Sequence, residues 1–448
     1  MKALLVGGYV RDSLLGVTSN DRDFVVIGAS PQEMLDKGFV QVGMHFPVFL
    51  HPETREEYAL ARLERSTGNK HGDFNYVWEG VTLEEDLLRR DLTINAMAMD
   101  CLGHVVDPYG GRNDLEAGVL RHCSSAFLED PLRVFRTARF AAKYGFSIAD
   151  ETMALMKEMT ARGMLTELPG ERVWKETEKA LLTSNPSQYF KVLKQCGALA
   201  VWFPELEVME SIPQRADYHA EGDVWIHTLM VLDEAAILTE GLEPERQLRV
   251  RLAALTHDLG KTVTPRELLW DVDGGIIGKH FGHEDPERYG PLLREMVRRL
   301  TIPTKLRQFS DTVALIHQYV HGIKALTPKT LVKIFEQIGG VRAINGDVHY
   351  LEDLTMACLA DNLGRLVTRA DGTIEKLIDY PQGQYFKDAM GAILAVDVGA
   401  IMRKLMADGL PVEEALNRVR GDRRKVAKQF KTQYIKQFNQ PGDEECPQ

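Results

Sequence analysis

Cysteine is scarce and scattered in this chain. Five occur in 448 residues, Cys101, Cys123, Cys196, Cys358 and Cys446, and none forms a CxxC pair. That excludes a disulfide framework and a cysteine-based zinc site. Long apolar runs are missing too: none approaches the roughly 18–20 residues needed to cross a bilayer. The apolar stretch at 3–6 is too short for a secretory signal, and Arg11–Asp12 breaks the chain's apolar character soon after it. The expectation is a cytoplasmic protein with no membrane partner. Positive charge is in deficit, with 54 Lys and Arg against 65 Asp and Glu and a formal net charge of -11. A surface of that sign repels polyanions, so any nucleic acid must be met by a local basic patch. No GxxxxGK(S/T) and no GxGxxG opening a βαβ unit is present, which leaves the P-loop mechanism unsupported and a dinucleotide reading weak. There is no low-complexity tract and no internal repeat.

The length suits about three domains of roughly 100–200 residues. Short β-rich apolar segments at 3–6, 24–27, 49–50 and 58–60 predict a small sheet. Residues 83–99 alternate at helical spacing behind Thr82 and Glu85, a candidate capping box. Short strands are expected at 104–106 and 119–122, around the turn at 107–111. From Leu128 the pattern turns helical, with helices expected over 131–144, 148–158, 171–182 and 186–196. The fold class is therefore α+β: a small mixed-sheet head (1–125) and a helical neck (126–222), joined through a polar stretch at 212–222 to a helical third domain (223–365). A helical C-terminal region (366–440) and a frayed end (441–448) complete the chain.

Two glycines, an arginine and an acidic pair lie close together near the start. Asp21 and Asp23, at the start of a strand, would point to one face, where two carboxylates repel unless a cation joins them. A hard divalent ion such as Mg2+ takes oxygen ligands and leaves positions for phosphate oxygens. Gly7–Gly8 can bring backbone N–H groups against a phosphate, and Arg11 can reach it with paired donors. Taken singly, the glycines are as readily a structural turn and the acids a solvated edge. Downstream, Arg133, Arg136 and Arg139 recur at three-residue spacing and can share a helical flank. Asp130 and Arg133 offer acceptors and a fork of donors, which reading a base edge requires; an intrahelical salt bridge is the competing reading.

Seven of the thirteen histidines fall in 219–321. In LTHDLGK (255–261), His257 and Asp258 cannot share one helical stripe, yet both can ligate a metal at a helix end. His227 lies upstream and Asp361 downstream, and His280, His283, His317 and His321 are further nitrogen donors. Near the C-terminus, residues 418–436 hold eight Lys or Arg and one acid, with Phe430, Tyr434 and Phe438 at four-residue spacing. This is a basic amphipathic helix, suited either to a phosphate backbone or to docking by its aromatic face.

GGYVRDSLLG, DRD, RRDLTINAMA, DPYGG, EDPLRVFRTARFAAKYGF and ERVWKE, in that order, resemble the bacterial CCA-adding tRNA nucleotidyltransferases. The LTHDLGK region resembles the HD metal-dependent phosphohydrolases, a domain appended to one branch of that family. The resemblance implies addition and repair of the tRNA 3′ CCA end from CTP and ATP without a nucleic-acid template. Asp21 and Asp23 match the Mg2+ ligands. Gly8 and Arg11 match phosphate contacts, Arg90, Arg136 and Arg139 further nucleotide contacts, and Asp91 a position near the sugar. Asp130 and Arg133 match the pair that reads the base. Residues 62–81, with Gly68, Gly72 and Gly80, resemble a flexible loop that helps the switch from C to A. His227, His257, Asp258 and Asp361 match the HD ligands, His283 and His317 match additional histidines, and His280 and His321 match less well. A divalent transition metal such as Ni2+ and hydrolysis of 2′,3′-cyclic or terminal phosphates are implied there. A poly(A) polymerase and a noncatalytic RNA-binding protein are the alternatives. Monomer and homodimer both stay open.

Overall fold

In the head, the register of two strands decides where the chemistry sits. β1 (Lys2–Val6) runs antiparallel to β2 (Asp23–Ile27) with Val6 opposite Asp23. The glycines just after β1 and the acid that opens β2 therefore meet at the same end of the sheet. The computed structural model describes residues 1–42, 48–66 and 74–438. They fall into two compact units, residues 1–180 with 188–201, and residues 181–187 with 202–448.

The first unit is built on a seven-stranded mixed sheet. Beside β1 and β2 it contains β3 (Val40–Val42), β4 (Val48–Leu50), β5 (Glu57–Leu60), β8 (Ala98–Met99) and β9 (Val105–Val106), in the order β3-β4-β5-β2-β1-β8-β9. β6 (Leu63–Ser66) and β7 (Phe74–Val77) form a separate hairpin. Neighbouring residues of a strand face opposite sides, and β2 shows it. Val25 packs with Leu4, Val6, Leu83 and Leu87, while Val26 packs with Met34, Phe49 and Leu60. The sheet thus buries both faces. Helices Leu132–Tyr144, Asp150–Ala161 and Gly170–Leu181 come next in the chain.

The run 83–99 is not one helix. The capping box forms, with Thr82 Oγ1 accepting the Glu85 N–H at 3.2 Å and Glu85 Oε2 accepting the Thr82 N–H at 2.9 Å. The helix nevertheless ends at Leu88. Beyond it, Leu92, Ile94, Ala96, Met97 and Ala98 are all fully buried, so no polar face is left for an amphipathic helix. The Asp91 carboxylate takes the Leu92 N–H at 2.9 Å, and Ala98 pairs with Val6 as a strand. Gly68, Gly72 and residues 441–448 lie outside the described residues; Gly80 has φ +71 with open space beside it.

The second unit is helical around a core shared by Val231, Phe309, Val313, Leu354 and Phe386. Residues 366–440 are not helical throughout. Leu366–Thr368 and Ile374–Lys376 form a hairpin, turned at Asp371–Gly372, where Gly372 has φ +84. Asp-Gly favours such turns because the glycine accepts a positive φ without strain. Within residues 212–222, Ile212 and Gln214 are buried while 215–218 are exposed. No described helix is long and apolar enough to cross a membrane.

Candidate active sites

In the first unit a cavity of about 570 Å³ gathers Gly8, Arg11, Asp21, Asp23, Arg90, Asp91, Asp130, Arg133, Arg136 and Arg139, all expected from the sequence. Arg89, Asn95, Lys143 and Arg172 join them. Eight cationic residues thus face four carboxylates in a chain of net charge -11, which is the local positive field a polyphosphate requires.

The floor of the cavity is tightly braced. Gly7 has φ +68, and a Cβ there would stand 3.1 Å from Arg90 Nη1. Glycine is required at that position, next to the Gly8 that the sequence pointed to. Arg11 is buried and held in place: Nη1 donates to Asn95 Oδ1 at 2.5 Å and Nε to Asp12 Oδ1 at 2.9 Å. Asp91 is saturated by Arg136 Nε at 2.8 Å and Asn95 Nδ2 at 3.0 Å. Its visible work is to fix Arg136.

The wall opposite carries the helix Leu132–Tyr144. Asp130 and Arg133 make no side-chain salt bridge with each other. Arg133 donates to the carbonyls of Ala126 and Arg89, both at 2.7 Å. Asp130 instead pairs with Arg172 Nη2 at 3.1 Å, and Arg139 Nε donates to Glu176 Oε2 at 2.5 Å. Arg172 and Glu176 belong to the ERVWKE stretch, whose individual roles sequence reasoning did not assign.

Burial alone would raise the Asp91 carboxyl, yet Arg136 and Asn95 hold it well below the usual carboxylate range. A carboxyl lowered on folding stabilises the fold above its unfolded pKa of about 3.9, and that stability is lost as pH falls through the folded value. Asp91→Asn is expected to lower stability at pH 7 by about 1–3 kcal/mol, the scale of a charged hydrogen bond whose arginine keeps part of its side chain in water. It should also flatten the acid limb of stability below about pH 4, as read by thermal melts carried down to about pH 2.

Asp23 sits at the cavity mouth. Desolvation there raises its carboxyl, and the neighbouring Asp21 raises it further. Two neighbouring carboxylates, with oxygen as the only donor, fit a hard divalent cation.

The second unit holds the histidine cluster, three of whose rings lean on backbone carbonyls. His257 comes directly after helix Pro244–Thr256 and has Nδ1 2.7 Å from the Ala254 carbonyl. His283 Nδ1 lies 2.7 Å from the His280 carbonyl, and His317 Nδ1 lies 2.9 Å from that of Ala314. His227 Nδ1 lies 2.9 Å from Glu221 Oε1. A proton on Nδ1 of His257, His283 and His317 leaves the Nε2 lone pair of each pointing inward. There, His227 Nε2 is 3.2 Å from Asp361 Oδ1, and His257 Nε2 is 3.2 Å from Asp258 Oδ2. His283 Nε2 stands 3.3 Å from Asp258 Oδ1 and 3.0 Å from His317 Nε2. Two donor trios meet at these inward atoms, His227–His257–Asp361 and Asp258–His283–His317, and a third, His219–Glu221–His227, adjoins them through His227. The Nε2 atoms of His227 and His257 are buried without a hydrogen-bond partner. This nitrogen and oxygen set fits divalent transition metals.

His280 and His321 lie outside both trios. His280 is engaged at both ring nitrogens, with Thr264 Oγ1 at 2.9 Å and the Pro213 carbonyl at 3.0 Å, and burial lowers it to about 4. His321 braces Asp361, 2.6 Å from its Oδ2, and meets Tyr380 Oη at 2.9 Å. Glu221 and Lys261, the latter 2.7 Å from Asp258 Oδ2, were not singled out from sequence.

Comparison with known proteins matches three stretches of the chain. Residues 3–121 match the poly A polymerase head domain, 145–209 the "Probable RNA and SrmB- binding site of polymerase A", and 224–366 the HD domain. Among solved structures, a CCA-adding enzyme in complex with CTP is 19% identical with a TM-score of 0.59, covering 98% of this chain and 91% of that one. A CCA-adding enzyme complex with ATP is 19% identical with a TM-score of 0.58, covering 99% and 91%. The Bacillus stearothermophilus CCA-adding enzyme in complex with CTP is 20% identical at a TM-score of 0.58, covering 97% and 94%. The chain therefore has the fold of the CCA-adding enzymes and carries a poly A polymerase head, a polymerase-type RNA-binding segment and an HD domain.

Proposed function

We propose that the protein adds and repairs the 3′-terminal CCA of tRNA from CTP and ATP, and that its HD domain is a phosphohydrolase. The head at 1–125 supplies phosphate chemistry, the neck at 126–222 base selection and the domain at 223–365 hydrolysis. One observation carries the reading: the Asp21–Asp23 pair and the Asp130, Arg133 and Arg172 group share a single cationic cavity. In the reaction, the RNA 3′-hydroxyl oxygen bonds to the α-phosphorus, the bond to pyrophosphate breaks, and pyrophosphate leaves. Asp21 and Asp23 would hold Mg2+, which supplies Lewis acidity and charge neutralisation when bound. Arg11, Arg90, Arg136 and Arg139, with the Gly7–Gly8 backbone, neutralise and orient the triphosphate.

Asp130 and Arg133 present the base-reading edge. Arg172 fixes the Asp130 carboxylate, and the two backbone carbonyls fix Arg133. A bidentate base contact is worth about 1–3 kcal/mol of discrimination. Arg172→Ala is accordingly expected to cut preference for CTP and ATP over UTP and GTP by about tenfold, with little change in Mg2+ dependence. Competition assays with mixed nucleotides measure it.

In the HD domain, His227, His257, Asp258 and Asp361, with His283 and His317, would hold divalent transition metal, Ni2+ among those that fit. The metal would supply Lewis acidity at a phosphate ester. Hydrolysis of a 2′,3′-cyclic phosphate forms one bond from water oxygen to phosphorus and breaks one ring P–O bond, leaving a monoester and a free hydroxyl. Incubating the protein with tRNA lacking CCA, plus CTP, ATP and Mg2+, and sequencing the product tests the main activity. A uniform CCA end supports it, an A tract indicates a poly(A) polymerase, and an unextended end overturns both.

A further inference from the structure

A cavity of about 290 Å³ opens onto the histidine cluster, reaching Asp361 and His283. Two exposed aromatic rings line it. Tyr218 is 53% exposed and Phe281 is 69% exposed. Leaving a whole phenyl ring in water forfeits the gain from burying it. Two such rings at the mouth of one cationic pocket call for a ligand with an apolar, planar face.

The segments that carry the rings are stitched together. His280, next to Phe281, bonds the Pro213 carbonyl at 3.0 Å, and Lys261 Nζ donates to Gln214 Oε1 at 2.8 Å. Gly278, at φ +57, packs so closely that a Cβ would come within 2.7 Å of the Arg215 nitrogen. The Arg215 guanidinium lies 4.8 Å from the centroid of the Tyr218 ring, and Arg215 is itself anchored on Asp217, with Nε donating to Oδ1 at 3.0 Å. The ring is thus held before any ligand arrives.

Deeper in the cavity the chemistry changes from apolar to cationic. Lys261 and Arg365 line it beside Asp361, and Arg365 Nε is buried without a hydrogen-bond partner. A base on the aromatic rim and a phosphate on these cations describe one nucleotide at the end of a single strand. The volume is near the lower limit of ligand pockets, about 300–1,000 Å³, and has no room for a duplex.

We propose that Tyr218 and Phe281 form a stacking clamp that selects a terminal nucleotide for the HD site, with Lys261 and Arg365 taking its phosphate. The clamp rests on the phosphohydrolase reading for its purpose but not for its binding. Stacking on an aromatic ring is tolerant of base identity, so the site accepts A and C ends alike.

The test uses the full chain supplied with Ni2+ and two substrates, adenosine 2′,3′-cyclic phosphate and base-free 1-O-methylribose 2′,3′-cyclic phosphate. Phe281→Ala and Tyr218→Ala should each raise KM for the nucleotide about tenfold, the scale of one lost base stack, at unchanged kcat. Neither should alter hydrolysis of the base-free ester, and Phe281→Trp should keep the wild-type KM. Equal effects on both substrates, or none on either, overturn the clamp. Calorimetric binding of 3′-AMP reads it without catalysis. Wild-type protein that binds 3′-AMP in a Phe281-dependent way but hydrolyses neither ester overturns the phosphohydrolase reading and retains the clamp. Absent or Phe281-independent 3′-AMP binding overturns the clamp.

Discussion

Asp21→Ala is expected to lower incorporation of both CTP and ATP by about 10³-fold or more. Lewis-acid stabilisation of a transferring phosphoryl group is worth several kcal/mol, and each ~1.36 kcal/mol is tenfold in rate. On the proposed roles the effect should fall on both nucleotides equally, because a metal held by the carboxylate pair acts on the phosphate common to both. Asp21 is exposed, so its removal should shift stability by no more than about 0.5 kcal/mol. A labelled-nucleotide assay on mutant protein with an unchanged melting temperature makes the measurement. Residual incorporation within about tenfold of the wild type would show that the pair does not hold the metal.

His257→Ala should remove phosphohydrolase activity to a similar extent while leaving CCA addition intact. The substitution takes one nitrogen from the His227–His257–Asp361 trio, and a metal site that loses a ligand loses affinity and geometry together. It also deprives Asp258 of a partner. Burial works against that carboxylate's charge, and His257 with Lys261 holds it far below the usual carboxylate range. Some loss of stability in the second unit is therefore expected. CCA addition by the same preparation controls for global unfolding, and equilibrium dialysis with Ni2+ reads the ligand loss directly. Equal decline of both activities would mean that the two sites are not independent.

The phosphate half of the first site was legible because its residues lie in short, dense motifs. Gly8, Arg11, Asp21 and Asp23 need only one strand pairing to meet. The rest depended on contacts over long separations. Arg172 reaches Asp130 across 42 residues and Glu221 reaches Leu366 across 145, and no local pattern announces either. Histidine spacing found the donors of the second site but could not sort them. His280 differs from His283 only in what its ring nitrogens meet, which the packing of distant segments decides. Fold errors had the same origin. A run with helical spacing at 83–99 became helix, turn and strand because its second half is buried on all sides. The hairpin at 366–376 was passed over because its Asp-Gly turn sits between long helical stretches.

The C-terminal helix Val412–Phe438 carries two obligations on opposite sides. Phe430 and Tyr434 pack on Tyr385, with ring centroids 5.2 and 4.5 Å apart, whereas Arg424, Lys425 and Lys428 face solvent. Cutting the helix away would strip the core of part of its wall, so a deletion cannot test the basic face by itself. Reversing the charge of the outward residues does, at about 0.5 kcal/mol or less per site. The helix is a peg on one side and an adjustable surface on the other, so its charge can be tuned to a partner without renegotiating the fold.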